Sequence, residues 1–369
     1  MNIYEELGIP TLINAQDSET RLGGSRLPEE IRQKMNEASP YFVKIAELEI
    51  KLSERIAQMT NNDSCLITNG ASAGLAISVA GCITRGNEKF IQQLPSTDQI
   101  PKNEAIMFKA QRNNYDNAIR LSGAKLIEIE SNKEDLVSSI SRETACIVYF
   151  AGDFYESKAI PFLEVVEIAK KFEIPLIVDA AANLPPVSNL WFYTKQGADL
   201  VVFSGGKTLR GPQASGLILG KETWINYCRL NSSPNKSIGR PMKVGKEEMI
   251  GIFYALDRYL KLDHAKEKKS QENMLDYMIE KIEKSIPDVS LNKIYPAHHG
   301  QDYSRLKIEF DDSMRAKFYK NELEKGKNPI IINLSSDSKA LIINPLHLEE
   351  SEVAMIITKL TSLMHTKSK

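Results

Sequence analysis

A lysine set among glycines is the first place where this sequence offers chemistry. Residues 201–220 read VVFSGGKTLRGPQASGLILG, and Lys207 closely follows a short apolar run. The triplet Gly206-Lys207-Thr208 has the ending of a phosphate-binding loop, G-x-x-x-x-G-K-[ST]. The first glycine of that motif would fall at Val201, however, and residues 201–204 are Val, Val, Phe and Ser, a strand tail. Pro212 also stands where the helix after such a loop would run, and proline breaks helix interiors. Nucleotide hydrolysis is therefore set aside. A lysine at the end of a buried strand has a second use, a Schiff base with a carbonyl cofactor, above all pyridoxal phosphate. A solvated lysine in a glycine turn is the plainer alternative, and this stretch alone leaves it open.

Other residues fit the cofactor reading. Asp179 closes the run PLIVDA (175–180). A carboxylate beside a pyridine nitrogen keeps it protonated and makes the ring an electron sink. Capping the following turn would be the ordinary use of an aspartate there. Ala181 is small enough for a flat ring to lie against the backbone. Gly70, Ala71 and Ser72 open a helical stretch, where backbone N–H groups and the helix N-terminus can hold a phosphate. Ser204, three residues before the lysine, can add a hydroxyl. Arg21, Arg210 and Arg240 could bind a carboxylate or phosphate bidentately, although structural ion pairs would serve them equally well.

These residues need elements that bring them together. SCLIT (64–68), EAIMF (104–108), KLIEIE (125–130), ACIVYF (145–150), PLIVDA, DLVVFS (199–204) and SGLILG (215–220) read as β-strands. Helical patterns such as LEVVEIAKKF (163–172) lie between most of them. Alternating strands and helices predict an α/β doubly wound, mostly parallel sheet, its apolar strands covered on both faces. In such a sheet ligands sit beyond the carboxyl ends of the strands. Asn69, Gly70, Asp179, Ser204 and Lys207 all fall at such ends. After about residue 255 the pattern changes to a charged helix (265–286), strand-like RLKIEF, IIINLS and ALIINP, and a last amphipathic helix (349–364). Three parts are expected: an N-terminal arm (1–45) packing with the small domain, a large domain (46–255), and a small α+β domain (256–369).

Composition bounds the rest. The chain has 369 residues, 42% of them hydrophobic, and a net charge of −1. That is enough chain for one large or two moderate domains, without the basic patch that nucleic-acid binding needs. No apolar run approaches the ~20 residues of a membrane span, and MNIYEELGIP lacks the basic and apolar regions of a secretory signal. Cys65, Cys82, Cys146 and Cys228 are scattered without a CxxC, which reads as buried thiols in a reducing cytoplasm and not as metal ligands. His298 and His299 are expected at the surface.

Beyond these separate signals, VDAAANLPP, GADLVVFSGGKTLRGPQASGLILG and SPNKSIGRPMKVGKEEMIG, with INAQDSETRLGGSRLPEE and QRNNYDNAIRLSGAKLIEI before them, resemble the selenocysteine-synthase-related family of fold-type-I pyridoxal-phosphate enzymes. The resemblance is nearest to its ammonia-lyase-like branch, which includes D-glucosaminate-6-phosphate ammonia-lyase. It implies a fold-type-I architecture with pyridoxal 5'-phosphate as cofactor, Lys207 as the Schiff-base lysine and Asp179 as the pyridine partner. The implied substrate is an amino acid or amino sugar acid, and the implied assembly at least a homodimer with Arg240 acting across the interface. Elimination to a 2-oxo acid and ammonia is the expected reaction. Transfer onto an aminoacrylate, racemisation, aldol cleavage and a non-catalytic binding role are the rivals. LRGPQ after the lysine matches the lyase branch, and the chain starts almost at the core, so selenium transfer on a charged tRNA is not expected. Two departures stand out. The family's HRN histidine, which stacks on the pyridine ring, is here Gln111, expected to lie on the cofactor as a flat amide. The turn after INA is QDSE (16–19).

Overall fold

The computed structural model describes residues 2–285 and 289–365, without the side chains of residues 364 and 365. It divides into two compact units. Among the described residues, the larger comprises 24–261 and 298–301; the smaller comprises 2–23, 262–285, 289–297 and 302–365.

The larger unit is built on seven strands: β1 (Ser64–Thr68), β2 (Glu104–Phe108), β3 (Lys125–Ile129), β4 (Thr144–Phe150), β5 (Leu176–Asp179), β6 (Leu200–Ser204) and β7 (Gly216–Gly220). Their order across the sheet is β1-β7-β6-β5-β4-β2-β3. The five strands β6 to β3 run parallel, and β7 is antiparallel to both β6 and β1. The architecture is α/β with a mixed, mostly parallel sheet. Every residue of β4 is buried, as a strand covered on both faces requires. The chain winds outward from β2 to β3, then returns to β4 and proceeds the other way through β5 and β6. The reversal opens a crevice at the carboxyl ends of β2 and β4.

Helix α1 (Gly70–Thr84) lies on one face of this sheet and is buried from Ala73 to Thr84. Its sequence, GASAGLAISVAGCIT, is small and apolar all round, as an enclosed helix needs. Gly74 sets the approach: a Cβ there would lie 2.9 Å from Val202 Cγ1. Phe150, Asp179 and Val202 are register partners in neighbouring strands. Side chains alternate along a strand, so these three share the α1-covered face, and so does Ser204, two residues past Val202.

The division of the chain differs from the sequence expectation at both boundaries. Helix Glu29–Ala38 belongs to the larger unit, where Glu30 pairs with Arg258 at 2.7 Å. Helix Lys246–Lys261 runs without a break through residue 255, so the chain leaves the larger unit only at its end.

In the smaller unit a four-stranded antiparallel sheet has the order 333–334, 340–343, 305–309, 290–294. Its core includes Leu275, Met278, Leu306, Ile308 and Ile343. The run IIINLS, expected as one strand, is split. Ile330–Ile331 pairs in parallel with Ile13–Asn14, and Asn333–Leu334 pairs with the sheet. Among the described residues no helix is long and apolar enough to cross a membrane, and no group of side chains could hold a metal ion.

Candidate active site

At the carboxyl edge of the large sheet, three chain segments converge on the face covered by α1. The first is the start of α1 itself. Gly70 has φ +84°, a conformation that favours glycine, and the helix carries no side-chain cap. The Asn69 side chain instead donates to the carbonyl of Lys243 at 2.7 Å. The first-turn N–H groups at Gly70, Ala71 and Ser72 therefore point out of the helix with its positive dipole end, a ready anion site. Gly216 lets this turn sit against the sheet, because a Cβ there would come within 2.7 Å of Gly70 C and 3.0 Å of Ala71 N.

The second segment ends β5. Asp179 Oδ1 accepts from the Ala181 N–H at 3.0 Å, its one hydrogen bond among the described residues. Burial raises its carboxyl above the ordinary range, and the Ala181 N–H and the Lys207 charge only partly oppose that rise. A half-buried carboxylate so sparsely partnered has an oxygen left to accept from a further donor. A cationic N–H donor, such as a protonated pyridine nitrogen, supplies what it lacks.

The third segment is the turn after β6. It is closed by bonds from Gly205 N to Ser215 O and from Gly211 N to Gly205 O, both 2.9 Å, and from Thr208 Oγ1 to Leu184 O at 2.9 Å. Lys207 is half-buried, and its amine makes no hydrogen bond or ion pair among the described residues. Its charge acts on Asp179. A carboxylate, an amine and an uncapped helix start on one face match the three polar ends of pyridoxal phosphate: ring nitrogen, aldehyde and phosphate. The residues present fit the cofactor.

The remaining candidates separate. Ala181, two residues after Asp179, lies in the turn and is partly exposed. Ser204, half-buried, pairs in register with Gly216. Arg210 has φ +55°, and its Nε donates to Arg26 O at 3.1 Å. Arg240 is exposed in the loop 232–245. Arg21 belongs to the smaller unit, where it is exposed and paired with Glu19 at 2.6 Å. In the same unit the QDSE turn is engaged: Asp17 takes Arg305 Nη2 at 2.7 Å, and the Ser18 hydroxyl meets His347 Nε2.

Gln111 stands apart from the expectation that its amide lies on the cofactor. It is wholly buried. Its Nε2 donates to Phe150 O and Tyr155 O, both at 3.1 Å, and its Oε1 accepts from Phe150 N at 3.0 Å. With no surface of its own, it ties the end of β2 to the end of β4 across the crevice.

Sequence reasoning passed over two rings at this edge. Tyr155 packs on Phe150, ring centroids 5.4 Å apart, and stacks on His299 at 5.8 Å and 12°. Its hydroxyl is pushed up first by burial and then by the charge of Asp179. His299, expected at the surface, is only partly exposed and lies in the four-residue stretch that belongs to the larger unit. The only local signal was the pair of glycines that serve this docking. Gly152 has φ +97° and would place a Cβ 2.7 Å from His299 O, while Gly300 faces Asp153.

This fold and the cofactor it accommodates define a pyridoxal-phosphate enzyme of fold type I. The SelA family, described as L-seryl-tRNA selenium transferase, matches residues 114–308, and the chain belongs to that family. It is 35% identical to D-glucosaminate-6-phosphate ammonia lyase of Salmonella typhimurium (strain 14028s / SGSC 2262) over 70% of each chain. It is 30% identical to 5'-C-glycyluridine monooxygenase-decarboxylase of a Streptomyces species over 78% of this chain and 72% of the relative. The solved structure of a D-glucosaminate-6-phosphate ammonia-lyase superposes over 100% of both chains with a TM-score of 0.87 at 28% identity.

Proposed function

We propose that the chain is an ammonia-lyase acting on a phosphorylated amino sugar acid of the D-glucosaminate 6-phosphate type. The observation that carries this reading is the shared face of Asp179, Lys207 and the α1 start, taken with 35% identity to a lyase of that name. Bound pyridoxal phosphate supplies an electron sink that makes a Cα–H bond acidic. Lys207 Nζ holds the cofactor before substrate arrives, then is free to take the Cα proton. Asp179 keeps the ring nitrogen protonated. Gly70, Ala71, Ser72 and Ser204 hold the cofactor phosphate, and Ala181 leaves room for the flat ring. Arg210 and Arg240 bind the substrate's carboxylate and phosphate. The substrate loses its Cα proton and its β-hydroxyl, the hydroxyl leaving as water. Uptake of water then releases ammonia and leaves a 2-oxo acid.

The enzyme acts as a homodimer in the cytoplasm. Tyr41, Phe42 and Val43 are consecutive exposed apolar residues, 67%, 103% and 47% accessible. A monomer rarely leaves such a run in water, and a twofold partner would cover it. The four cysteines are free, buried thiols, which suits a reducing compartment.

The test is incubation with D-glucosaminate 6-phosphate, assayed for ammonia and a 2-oxo acid in equal amounts. The 30% identical relative motivates a second reading, oxidative decarboxylation at the same site. Carbon dioxide release with oxygen uptake, without ammonia, would replace the lyase by that reading.

A further inference from the structure

We propose that Tyr155 is the aromatic side chain bordering the cofactor ring at Asp179, that His299 holds it there by stacking, and that Gln111 is the buried brace beneath it. The proposal rests on the reading of Asp179 as partner of the ring nitrogen.

The crevice of the large sheet opens where the strand order reverses, between the ends of β2 and β4. Gln111 follows β2, and Tyr155 follows β4. All three side-chain bonds of Gln111 go to the backbone of Phe150 and Tyr155, so the amide fixes where Tyr155 begins. Phe150 is the register partner of Asp179, and its side chain lies on the same sheet face. Tyr155 packs on that Phe150 ring and is close enough to feel the charge of Asp179. Gln111 has no exposed surface, whereas Tyr155 is partly exposed. Of the two, only Tyr155 can touch a ligand.

The stretch that carries His299 is held here by side-chain-to-backbone bonds with the residues just after Asp179. Asn183 Nδ2 donates to His299 O at 2.8 Å, and Gln301 Nε2 donates to Ala182 O at 3.0 Å. His299 N donates to Gln301 Oε1 at 3.0 Å, which closes the stretch on itself. The segment that carries the ring partner thus also carries the support for Tyr155. A flat cofactor held at its nitrogen needs a side chain to limit its tilt, and an aromatic ring does this with little entropy to lose.

The experiment compares Tyr155→Phe, Tyr155→Ala and His299→Ala by pyridoxal phosphate titration and by visible circular dichroism of the bound cofactor. Borohydride labelling of Lys207 and an Asp179→Asn titration run beside them. Tyr155→Ala should weaken cofactor binding about tenfold, the scale of one lost aromatic contact. It should also change the visible dichroism while the label stays on Lys207. Tyr155→Phe should keep affinity and dichroism, and His299→Ala should change the dichroism in the same direction as Tyr155→Ala, by less. If Tyr155→Ala does not fold, Tyr155→Leu takes its place with the same expectation. Wild-type affinity and dichroism in the folded Ala or Leu variant, with Lys207 labelled and Asp179→Asn weakened, would overturn this proposal alone. An Asp179→Asn variant with unchanged affinity would remove the underlying reading, and the Tyr155 proposal with it.

Discussion

Asp179 is costly to the empty protein, and as the proposed partner of the ring nitrogen it would be useful to the loaded one. Its folded carboxyl titrates above the usual range, because burial disfavours the charge. A group whose folded value is raised contributes stability below its unfolded value of ~3.9 and loses it as pH rises through the folded value. Asparagine does not titrate. Cofactor-free Asp179→Asn should therefore melt above cofactor-free wild type at pH 7, with the gap closing as pH falls toward ~4. Thermal melts across that range check this, and an unchanged gap would contradict it. Turnover should move the other way, falling about 10²–10³-fold, because an amide cannot hold a pyridinium charge. Lys207→Ala should lose about 10³-fold or more, and borohydride should then fix no cofactor at position 207. The places of both residues were legible in the sequence for one reason: a short apolar run that ends in a polar residue marks a strand end, at Asp179 itself and at Ser204, three residues before Lys207. Tyr155 and His299 were not. Their contact joins parts of the chain far apart in sequence, and neither ring sits in a pattern that announces it. Gln111 was legible as an exception, while its buried bonds to Phe150 and Tyr155 were not.

At the scale of elements, α1 and β7 jointly shape the proposed anion site. Seven strands and the helix opening at Gly70 could be read from alternation and small residues, because those signals are local. The pairing of β7 against both β6 and β1 could not, since antiparallel closure leaves no mark in a fully apolar strand. Gly216 records that pairing: a methyl there meets backbone atoms of Gly70, Ala71 and Phe203, none of which can rotate away. Gly216→Ala should cost ~1–3 kcal/mol in stability through overpacking. It should also displace the first turn of α1, so that pyridoxal phosphate loses much of its binding advantage over unphosphorylated pyridoxal. Parallel titrations with the two compounds measure this. An unaltered ratio would mean that the phosphate is held elsewhere.

At the scale of the whole molecule, the second chain of the proposed homodimer would account for the exposed Tyr41-Phe42-Val43 run and the exposed Arg240. Phe42→Asp touches nothing in the monomer, so it should leave the folded protein intact and shift light scattering toward half the mass. A Lys207→Ala and Arg240→Ala mixture should recover activity approaching about a quarter of wild type if Arg240 serves the partner's site, since random pairing leaves that share of sites intact. Dimers without recovery would confine Arg240 to a structural role. The sequence placed the N-terminal arm with the small domain but could not see the partner of Ile13–Asn14. That partner, Ile330–Ile331, emerges from the ribosome more than 300 residues later. At 5–20 residues per second the nascent arm waits about 15–60 s for it, with Ile13 and Ala15, buried in the finished unit, in water until then. The smaller unit is thus sewn shut late, by thread laid down long before, and a chaperone that shields exposed apolar segments during translation should raise the yield of active enzyme.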